Sequence, residues 1–341
     1  EGMNMGKNQI ISTFNRFAEM EAKDNSPLYE FWCHRIVQDD FLLDLIEHIP
    51  KTQPKPNLFF ASVQYLALRS RRPLAHCFLH LEETEFETNF HLLKDFCKEN
   101  KHELIQLFQT KKVQTNEVQR AAYLYPIFHE IFKRSNKPLT LIEIGTSAGL
   151  LLNLEYYQYE IQQSDPIHYG AKGSSLQIHA KNLGDTLIGI DTFEIKNRLG
   201  IDLNIIDLKE EDDYYWLQCL IWPEQQQRKE NLKKAREIHL NCEKTLLEGD
   251  FRKLIPQYIG ELNEETQIVI FHTHVANQFP LELKEDLLSM INNLSSKTPI
   301  YHVYNNMYDQ HLHVDYINSN ETTNLKVLKN TDGHGLYFYW N

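Results

Sequence analysis

The pattern of apolar positions changes at about residue 138. Before this point, apolar residues recur every three to four positions, as over residues 10–22, which is typical of amphipathic helices. The dipeptide Ser26-Pro27 predicts a helix start, with serine as N-cap and proline in the first turn. Further helices are predicted over residues 57–67, 86–108 and 116–132, and we find no convincing strand in this part of the sequence.

After residue 138, short β-rich apolar runs alternate with helical segments. Strands are predicted over residues 139–144, 199–206, 245–248, 267–272, 299–304, 324–328 and 336–340. Helices are predicted over residues 150–159, 224–241 and 281–294. Such alternation favours a mostly parallel sheet covered by helices on both faces. The last two strands, joined by a short turn at Asp332-Gly333, are expected to pair antiparallel.

The predicted fold class is therefore α/β. We expect a helical N-terminal region, residues 1–135, that forms a lid or substrate wall. Residues 136–341 are expected to form a Rossmann-like, doubly wound, mostly parallel sheet of about seven strands, as in methyltransferases. Ligands on such sheets bind beyond the carboxyl ends of the strands, near the point where the strand order reverses.

Composition narrows the classes of partner. The formal net charge of −12 argues against nucleic-acid binding, which needs a basic face. No stretch approaches the roughly 18 apolar residues of a membrane helix, so no membrane association is expected. The five cysteines are scattered, without a C-x-x-C pair, which favours a reducing cytoplasm and disfavours a thiolate zinc site. We expect no metal site and a small-molecule or protein substrate, and the oligomeric state stays open.

A glycine loop follows the first predicted strand, and its sequence matches two unrelated chemistries. Residues 145–149 read GTSAG, which fits the G-x-S-x-G elbow that holds the nucleophile of a serine hydrolase, here Ser147. That elbow sits on a central strand with several strands before it, whereas here the preceding residues are predicted as helices. A dinucleotide-binding loop, G-x-G-x-x-G, is disfavoured because its second and third glycines are missing.

The same loop also fits the acid-plus-glycine loop of S-adenosylmethionine-dependent methyltransferases. The spacing is Glu143-x-Gly145-x-Ser147-x-Gly149, with serine at the position of the middle glycine. The glycines let the backbone turn sharply close to a ligand. The N-terminus of the helix predicted after the loop would offer free N–H groups to a carboxylate, and Glu143 would face a cationic amino group. The alternative is that these glycines only make a strand-to-helix turn.

Other polar residues are predicted at the ends of successive strands. Asp202 is placed to bind ribose hydroxyls, with Asn204 beside it, and Asp250 is placed to face an adenine amine. His272 and His274 end a later strand, where they are candidates for a catalytic or substrate-contacting role. As strand neighbours two apart they would share a face, but no third metal ligand is evident nearby.

One choice stays open at the second strand. Asp202 lies more than fifty residues after the loop, although Rossmann-type sites place the ribose acid about twenty residues on. Either residues 162–198 form an insertion, or the second strand is residues 218–221 and Glu224 is the cofactor-binding acid.

A polar segment, Thr115-Asn116-Glu117-x-x-Arg120, lies before the sheet. On a helix, Asn116 and Arg120 would share a face and could cap a cofactor or bind substrate. The alternative is a helix start with Thr115 or Asn116 as N-cap and a salt bridge between Glu117 and Arg120.

Taken together, these segments resemble an uncharacterised bacterial family, the domain of unknown function 2332 family. The resemblance extends along nearly the whole chain and includes SPLY, PNLFFASVQYL, TNEVQR, LIEIGTSAGLLLNLEYYQY, GIDLNIIDL, WLQCLIWPEQQQR, EGD, VIFHTHV and HGLYFYW. It brings no established activity, but it implies a divergent relative of class I methyltransferases. The expected function is S-adenosylmethionine-dependent methyl transfer to an unknown substrate. The alternatives are a non-catalytic Rossmann-like module that binds a ligand or a protein and, third, a serine hydrolase.

Overall fold

A computed structural model describes residues 2–83 and 85–341, with side chains from residue 5 onward. Twelve α-helices are present in this described part: α1 Gly2–Phe17, α2 Pro27–Ile36, α3 Asp40–Ile46, α4 Lys55–Ser70, α5 Pro73–Leu79, α6 Phe86–Glu99, α7 Lys101–Thr110, α8 Ala121–Ser135, α9 Glu211–Leu220, α10 Gln226–His239, α11 Phe251–Gly260 and α12 Leu281–Ser295. The described helices include none with the length and apolar character that crossing a bilayer requires.

Eleven strands are present in the same described ranges. They are β1 Leu139–Ile144, β2 Gln158–Gln162, β3 Ile167–Gly170, β4 Gln177–Asn182, β5 Ile195–Asp202, β6 Thr245–Glu248, β7 Gln267–His272, β8 Ile300–Tyr304, β9 Leu312–Asn318, β10 Glu321–Leu328 and β11 Tyr337–Phe338. The predicted bounds of β1, β6 and β7 are confirmed. Strands β1, β7 and β8 are buried at every position, as expected for parallel strands covered on both faces.

The larger sheet confirms the predicted fold class. Its seven strands run in the order β10-β9-β8-β7-β1-β5-β6, and the pairs β1–β5, β1–β7, β5–β6 and β7–β8 are parallel. Strand β9 runs antiparallel to both of its neighbours, β8 and β10. After β1 the chain builds the sheet outward through β5 and β6, then crosses to β7 on the other side of β1. The strand order therefore reverses between β1 and β7.

A second, four-stranded sheet accounts for residues 158–182. Its order is β11-β4-β2-β3. Strands β3 and β4 lie within residues 162–198, the insertion that was one of two explanations for the long spacing to Asp202, and β2 ends where that insertion begins. The other explanation is wrong, because residues 218–220 belong to helix α9 and not to a strand. The predicted closing hairpin is also wrong, since β11 pairs parallel with β4 and the antiparallel partner of β10 is β9.

Two predicted helices are shorter than expected. The segment after the glycine loop is a 3-10 helix, Leu150–Tyr156, which gives way to strand β2 at Gln158. Before helix α8, Val118–Arg120 is a single 3-10 turn, and Glu117 is extended. Asn116 and Arg120 therefore do not lie one α-helical turn apart. Neither Thr115 nor Asn116 caps this turn, because the Glu117 carboxylate accepts the Gln119 N–H at 3.2 Å.

The chain divides into two compact units that do not follow a single cut. One comprises residues 1–115 and 209–232, and the other comprises residues 116–208 and 233–341. The first unit is helical and has its own aromatic core, which includes Trp32, Phe60 and Trp216. Its helix α2 is capped as predicted, because the Ser26 side chain accepts the Tyr29 N–H at 3.2 Å. The second unit holds both sheets and the core formed by strands β1, β5, β7 and β8 with helices α11 and α12.

Candidate functional site

The glycine loop after β1 is a tight turn with three residues in the left-handed region. Gly145, Ser147 and Gly149 have φ of 73°, 54° and 84°. Glycine adopts this conformation at little cost, but for serine it is strained. Position 147 therefore has the backbone geometry of a glycine although it holds a side chain.

All five N–H groups of the loop are already hydrogen-bonded inside the protein. Those of residues 145 and 146 donate to the Ile201 carbonyl at 2.8 and 3.0 Å, and that of residue 149 donates to the Thr146 carbonyl at 2.9 Å. The Ser147 N–H donates to Asp202 Oδ2 at 2.8 Å, and the Ala148 N–H donates to Asn116 Oδ1 at 3.1 Å. These five groups are therefore not free for a ligand carboxylate, and the expectation for the N–H groups at the start of the following helix stays a prediction.

The glycines of the loop also serve internal packing. A Cβ atom at Gly145 would lie 2.6 Å from Val275 Cγ2, and one at Gly149 would lie 2.8 Å from Leu246 Cδ2. Both distances are far below van der Waals contact. The absence of side chains at these two positions is thus required by the residues of β6 and the β7 end, whether or not a ligand approaches the loop.

Of the two candidate acids, Asp202 and not Glu224 ends a strand of the large sheet. It ends β5, the parallel neighbour of β1, and its two oxygens each accept one backbone N–H, Oδ2 from Ser147 and Oδ1 from Asn204 at 3.1 Å. A carboxylate has about four lone-pair sites, so each oxygen keeps one for a ligand. The next residue, Leu203, is 78% exposed and offers an apolar surface beside the acid.

Glu143, near the end of β1, is buried and bonds to the loop. Its side chain is buried, and Oε1 accepts the Thr146 hydroxyl at 2.6 Å. Burial raises the pKa of Glu143 to about 8, while the Thr146 hydrogen bond opposes this, Asp202 adds to it and Arg120 opposes it. In this geometry Glu143 holds Thr146 in place, and its contact with a cationic ligand group stays a prediction.

The two candidate catalytic histidines occupy different environments. His272 is fully buried in the core, where its Nε2 lies 2.9 Å from Nε2 of His302 and its ring stacks on Tyr304. Burial lowers the pKa of His272 to about 3. It is a neutral core side chain, and this burial does not favour the predicted catalytic role.

His274 lies just beyond the end of β7 at φ 56°, so the two histidines do not share a strand face. Asn305 determines the state of its ring. The His274 N–H donates to Asn305 Oδ1 at 2.7 Å, which turns the amide nitrogen of Asn305 towards His274 Nε2 at 3.2 Å. Because that nitrogen can only donate, Nε2 must accept, and the proton of the neutral ring resides on Nδ1. Burial, with smaller contributions from Arg120 and His334, lowers the pKa of His274 to about 4.

Asn116 and Arg120 join the site from the segment before α8. Asn116 donates through Nδ2 to Ser147 Oγ at 2.7 Å and accepts the Ala148 N–H, so that its amide clamps the loop. Arg120 donates through Nε to the Gly333 carbonyl at 2.8 Å. Glu117 lies beside them, 3.8 Å from Nδ1 of His334. The segment that the sequence singled out therefore does contact the loop and the C-terminal turn.

Three other predicted site residues have structural roles. Glu224 accepts the Ser26 hydroxyl at 2.7 Å and the Leu28 N–H at 3.0 Å at the start of α2, so it is not a strand-end acid. Asp250 caps α11 by accepting the Arg252 N–H at 2.9 Å and pairs with the Arg252 guanidinium. Ser147 is buried and bonded to a donating amide instead of a base, which leaves its hydroxyl unactivated as a nucleophile.

Asn305 and Gly333 are part of this site, but the sequence reasoning missed both of them. Asn305 follows β8 in a YNNM stretch that matches no motif, whereas Gly333 was noted only as a turn residue. A signal for Gly333 did exist in the neighbouring HGLYFYW segment, which follows it directly.

Residues 12–340 match the model of a bacterial family described as an uncharacterized protein conserved in bacteria, the domain of unknown function 2332, and the chain belongs to this family. Searches of curated proteins and of solved structures found no match. The loop, the strand ends and the C-terminal turn described above all fall within the matched residues.

Proposed function

We propose that this protein is an S-adenosylmethionine-dependent methyltransferase that acts on a small molecule or a protein. The observation that supports this is the placement of Asp202. The acid ends the strand next to β1, lies against the glycine loop, and is oriented by two backbone N–H groups. Its two remaining lone pairs suit the adjacent hydroxyls of a ribose.

The surroundings of Asp202 fit the other parts of such a cofactor. Leu203 exposes an apolar side chain that suits one face of an adenine ring. The strand order reverses between β1 and β7, which is where ligands bind on doubly wound sheets. The bound cofactor would supply an electrophilic methyl group. Because the amides of residues 145–149 are satisfied, its amino-acid end would be held by other groups of the site.

The part of this chain in the reaction would be positioning. Holding two reactants in line supplies much of the rate enhancement of a displacement reaction. The tautomer of His274, fixed by Asn305, leaves an Nδ1–H that can donate a hydrogen bond to an acceptor molecule. In this state His274 orients a substrate and does not abstract its proton.

Calorimetric titration with S-adenosylmethionine and S-adenosylhomocysteine tests the proposal. We expect binding to the wild type and a loss of at least about tenfold in affinity in Asp202→Asn and Asp202→Ala, since one hydrogen bond to a charged group accounts for such a factor. Asp250→Ala is the matched control, because its carboxylate is occupied by Arg252. Asp202 is a sharper probe than Gly145, where any side chain collides with Val275. No heat at millimolar cofactor would contradict the proposal.

A second candidate is a non-catalytic Rossmann-like module that binds a ligand or a protein. It is favoured by the satisfied amides of residues 145–149 and by the apolar side chains that fill the space beside Gly145 and Gly149. Such a module gives no heat with either compound and no methyl transfer from labelled cofactor to a bacterial lysate. Transfer of label that disappears in Asp202→Ala would exclude it.

A further inference from the structure

Arg120 is a buried arginine whose guanidinium is only partly used. The residue is 8% exposed, and its hydrogen bond to a protein group is that of Nε to the Gly333 carbonyl at 2.8 Å. Within residues 2–83 and 85–341, no acceptor pairs with its Nη1 or Nη2 atoms. These atoms are also absent from the buried polar groups that lack a partner, so solvent reaches them. The four N–H groups on these two atoms are therefore accessible to water.

The neighbours of Arg120 leave this charge available. Glu143, the nearest acid of β1, has a pKa that burial raises to about 8, so it is mostly uncharged at neutral pH. Glu117 lies on the same segment, but its ion-pair partner is His334 at 3.8 Å. A buried cation without a bonded counter-ion attracts an anionic ligand group far more strongly than a solvated one does.

A second donor lies beside the first. A Cβ atom on Gly333 would be 3.7 Å from His274 Cε1, and the carbonyl of the same glycine accepts from Arg120. Cε1 adjoins Nδ1, the nitrogen that holds the proton because Asn305 donates to Nε2. His274 Nδ1 is likewise not among the buried polar atoms that lack a partner, so it too is accessible to solvent. The planar fork of Arg120 and this N–H thus flank one glycine.

We infer that Arg120, assisted by His274, is the receptor for a carboxylate group of the ligand. A planar guanidinium matches a carboxylate with two parallel hydrogen bonds. The inference rests on the proposed function only for the identity of the ligand, since the carboxylate belongs either to the acceptor substrate or to the amino-acid end of the cofactor. The receptor itself rests on the geometry of Arg120, His274 and Gly333.

Simple carboxylates are the probes for the receptor. We expect millimolar benzoate and succinate to raise the melting temperature of the full-length wild type, and benzamide and succinamide to leave it unchanged. Arg120→Met should weaken carboxylate binding at least about tenfold, and Arg120→Lys, which keeps the charge but not the fork, should weaken it less. Arg134→Met, which changes an exposed arginine on the following helix α8, is the matched control and should bind as the wild type does.

Two outcomes would overturn the inference. One is wild-type protein that distinguishes none of the acids from their amides, and the other is an Arg120→Met variant that binds them like the wild type. The melting temperatures of both variants without ligand identify any loss of folding, and Arg120→Lys then decides the test. Binding of benzoate that depends on Arg120 supports the receptor even if the protein binds no S-adenosylmethionine.

The source of the carboxylate is decided by comparing S-adenosylmethionine with its decarboxylated form. If Arg120 holds the cofactor, Arg120→Met weakens the binding of S-adenosylmethionine at least about tenfold and leaves the binding of the decarboxylated form unchanged. If it holds the substrate, both compounds bind the variant as they bind the wild type, and benzoate binds together with the cofactor in the wild type. Either result assigns the receptor a ligand.

Discussion

At the residue scale, the site is built on two strained residues that asparagines hold. Ser147 and His274 follow the two strands between which the order of the sheet reverses, and both have left-handed backbones. Asn116 bonds to the side chain of Ser147 and to the next N–H, while Asn305 bonds to the N–H and the ring of His274. Strained residues of this kind cost about 1–3 kcal/mol and persist where their surroundings fix them. This repeated arrangement indicates a preorganised site.

Removal of the Asn116 amide should loosen the loop. Asn116→Ala leaves the Ala148 N–H and the Ser147 hydroxyl without their present partner in a buried place, which costs about 1–3 kcal/mol. Urea denaturation would measure the loss in free energy of unfolding. Asn241→Ala, which removes an exposed amide, is the control and should change stability by less than about 0.5 kcal/mol. Equal values for the two variants would show that Asn116 does not hold the loop.

Glu143 makes stability depend on pH in a definite direction. Its pKa is raised by burial from the ordinary 4.5 to about 8, so the folded protein keeps a proton that the unfolded chain releases between these values. The contribution of Glu143 to stability is then fully present below pH 4.5 and is lost as pH rises through 8. The loss is at most about 1.4 kcal/mol per pH unit. Glu143→Gln keeps an acceptor for Thr146 without a charge. We expect its stability relative to the wild type to increase from pH 5 to pH 9, and a constant difference would contradict this.

The sequence predicted only part of the site, for a physical reason. Loop glycines and strand-end acids are read locally, so the sequence offers Asp202 as a strand-end acid, although it leaves Glu224 as the alternative and predicts a strand that continues to residue 206. The bond from Arg120 to Gly333 joins residues 213 positions apart, and no local pattern encodes it. Burial is equally invisible in the sequence, which is why His272, deep in the core, was taken for a catalytic group.

At the scale of elements, prediction succeeded where the pattern had a single interpretation. Strands β1 and β7 are apolar and β-branched over nearly their whole length, and both were predicted with the right bounds. The strand QYEIQ, β2, alternates polar and apolar residues, but its first two residues lie in the predicted helix 150–159, which instead ends at Tyr156 as a 3-10 helix. The partner of β11 depends on a parallel contact with β4, far away in the sequence, whereas the hairpin prediction relied on proximity alone.

The pairing of β11 can be tested on its two faces. Phe338 is fully buried, whereas its neighbour Tyr337 points outward and is 39% exposed. Phe338→Ala should lower the free energy of unfolding by about 3–5 kcal/mol, the usual cost of deleting a buried aromatic ring. Tyr337→Ala on the same strand should cost less than about 1 kcal/mol. A hairpin in place of this pairing would not bury Phe338 in the same way, and the two variants would then be alike.

At the scale of the whole molecule, each of the two compact units is assembled from two separate stretches of chain. The sequence suggested a boundary near residue 135 from a change in periodicity. The compact units instead group α8 with the sheets and α9 with the N-terminal helices. Helix α9 belongs to the aromatic core of that helical unit, since Trp216 is buried there and its indole N–H donates to the Lys112 carbonyl at 3.0 Å. A change in hydrophobic period marks where strands begin, but it does not show which later segment completes an earlier core.

This organisation predicts how the effect of a single substitution spreads. Trp216→Ala removes a buried side chain from the helical unit and should lower the free energy of unfolding of that unit by about 3–5 kcal/mol. Because proteins open in cooperative units, amide hydrogens of α4, which packs on α9, should exchange faster, while those of β1 and β7 stay protected. Hydrogen exchange read by mass spectrometry distinguishes these peptides, and Phe338→Ala is the reciprocal variant that should expose the sheet unit first. If Trp216→Ala accelerated exchange equally in α4 and β1, the two units would unfold as one.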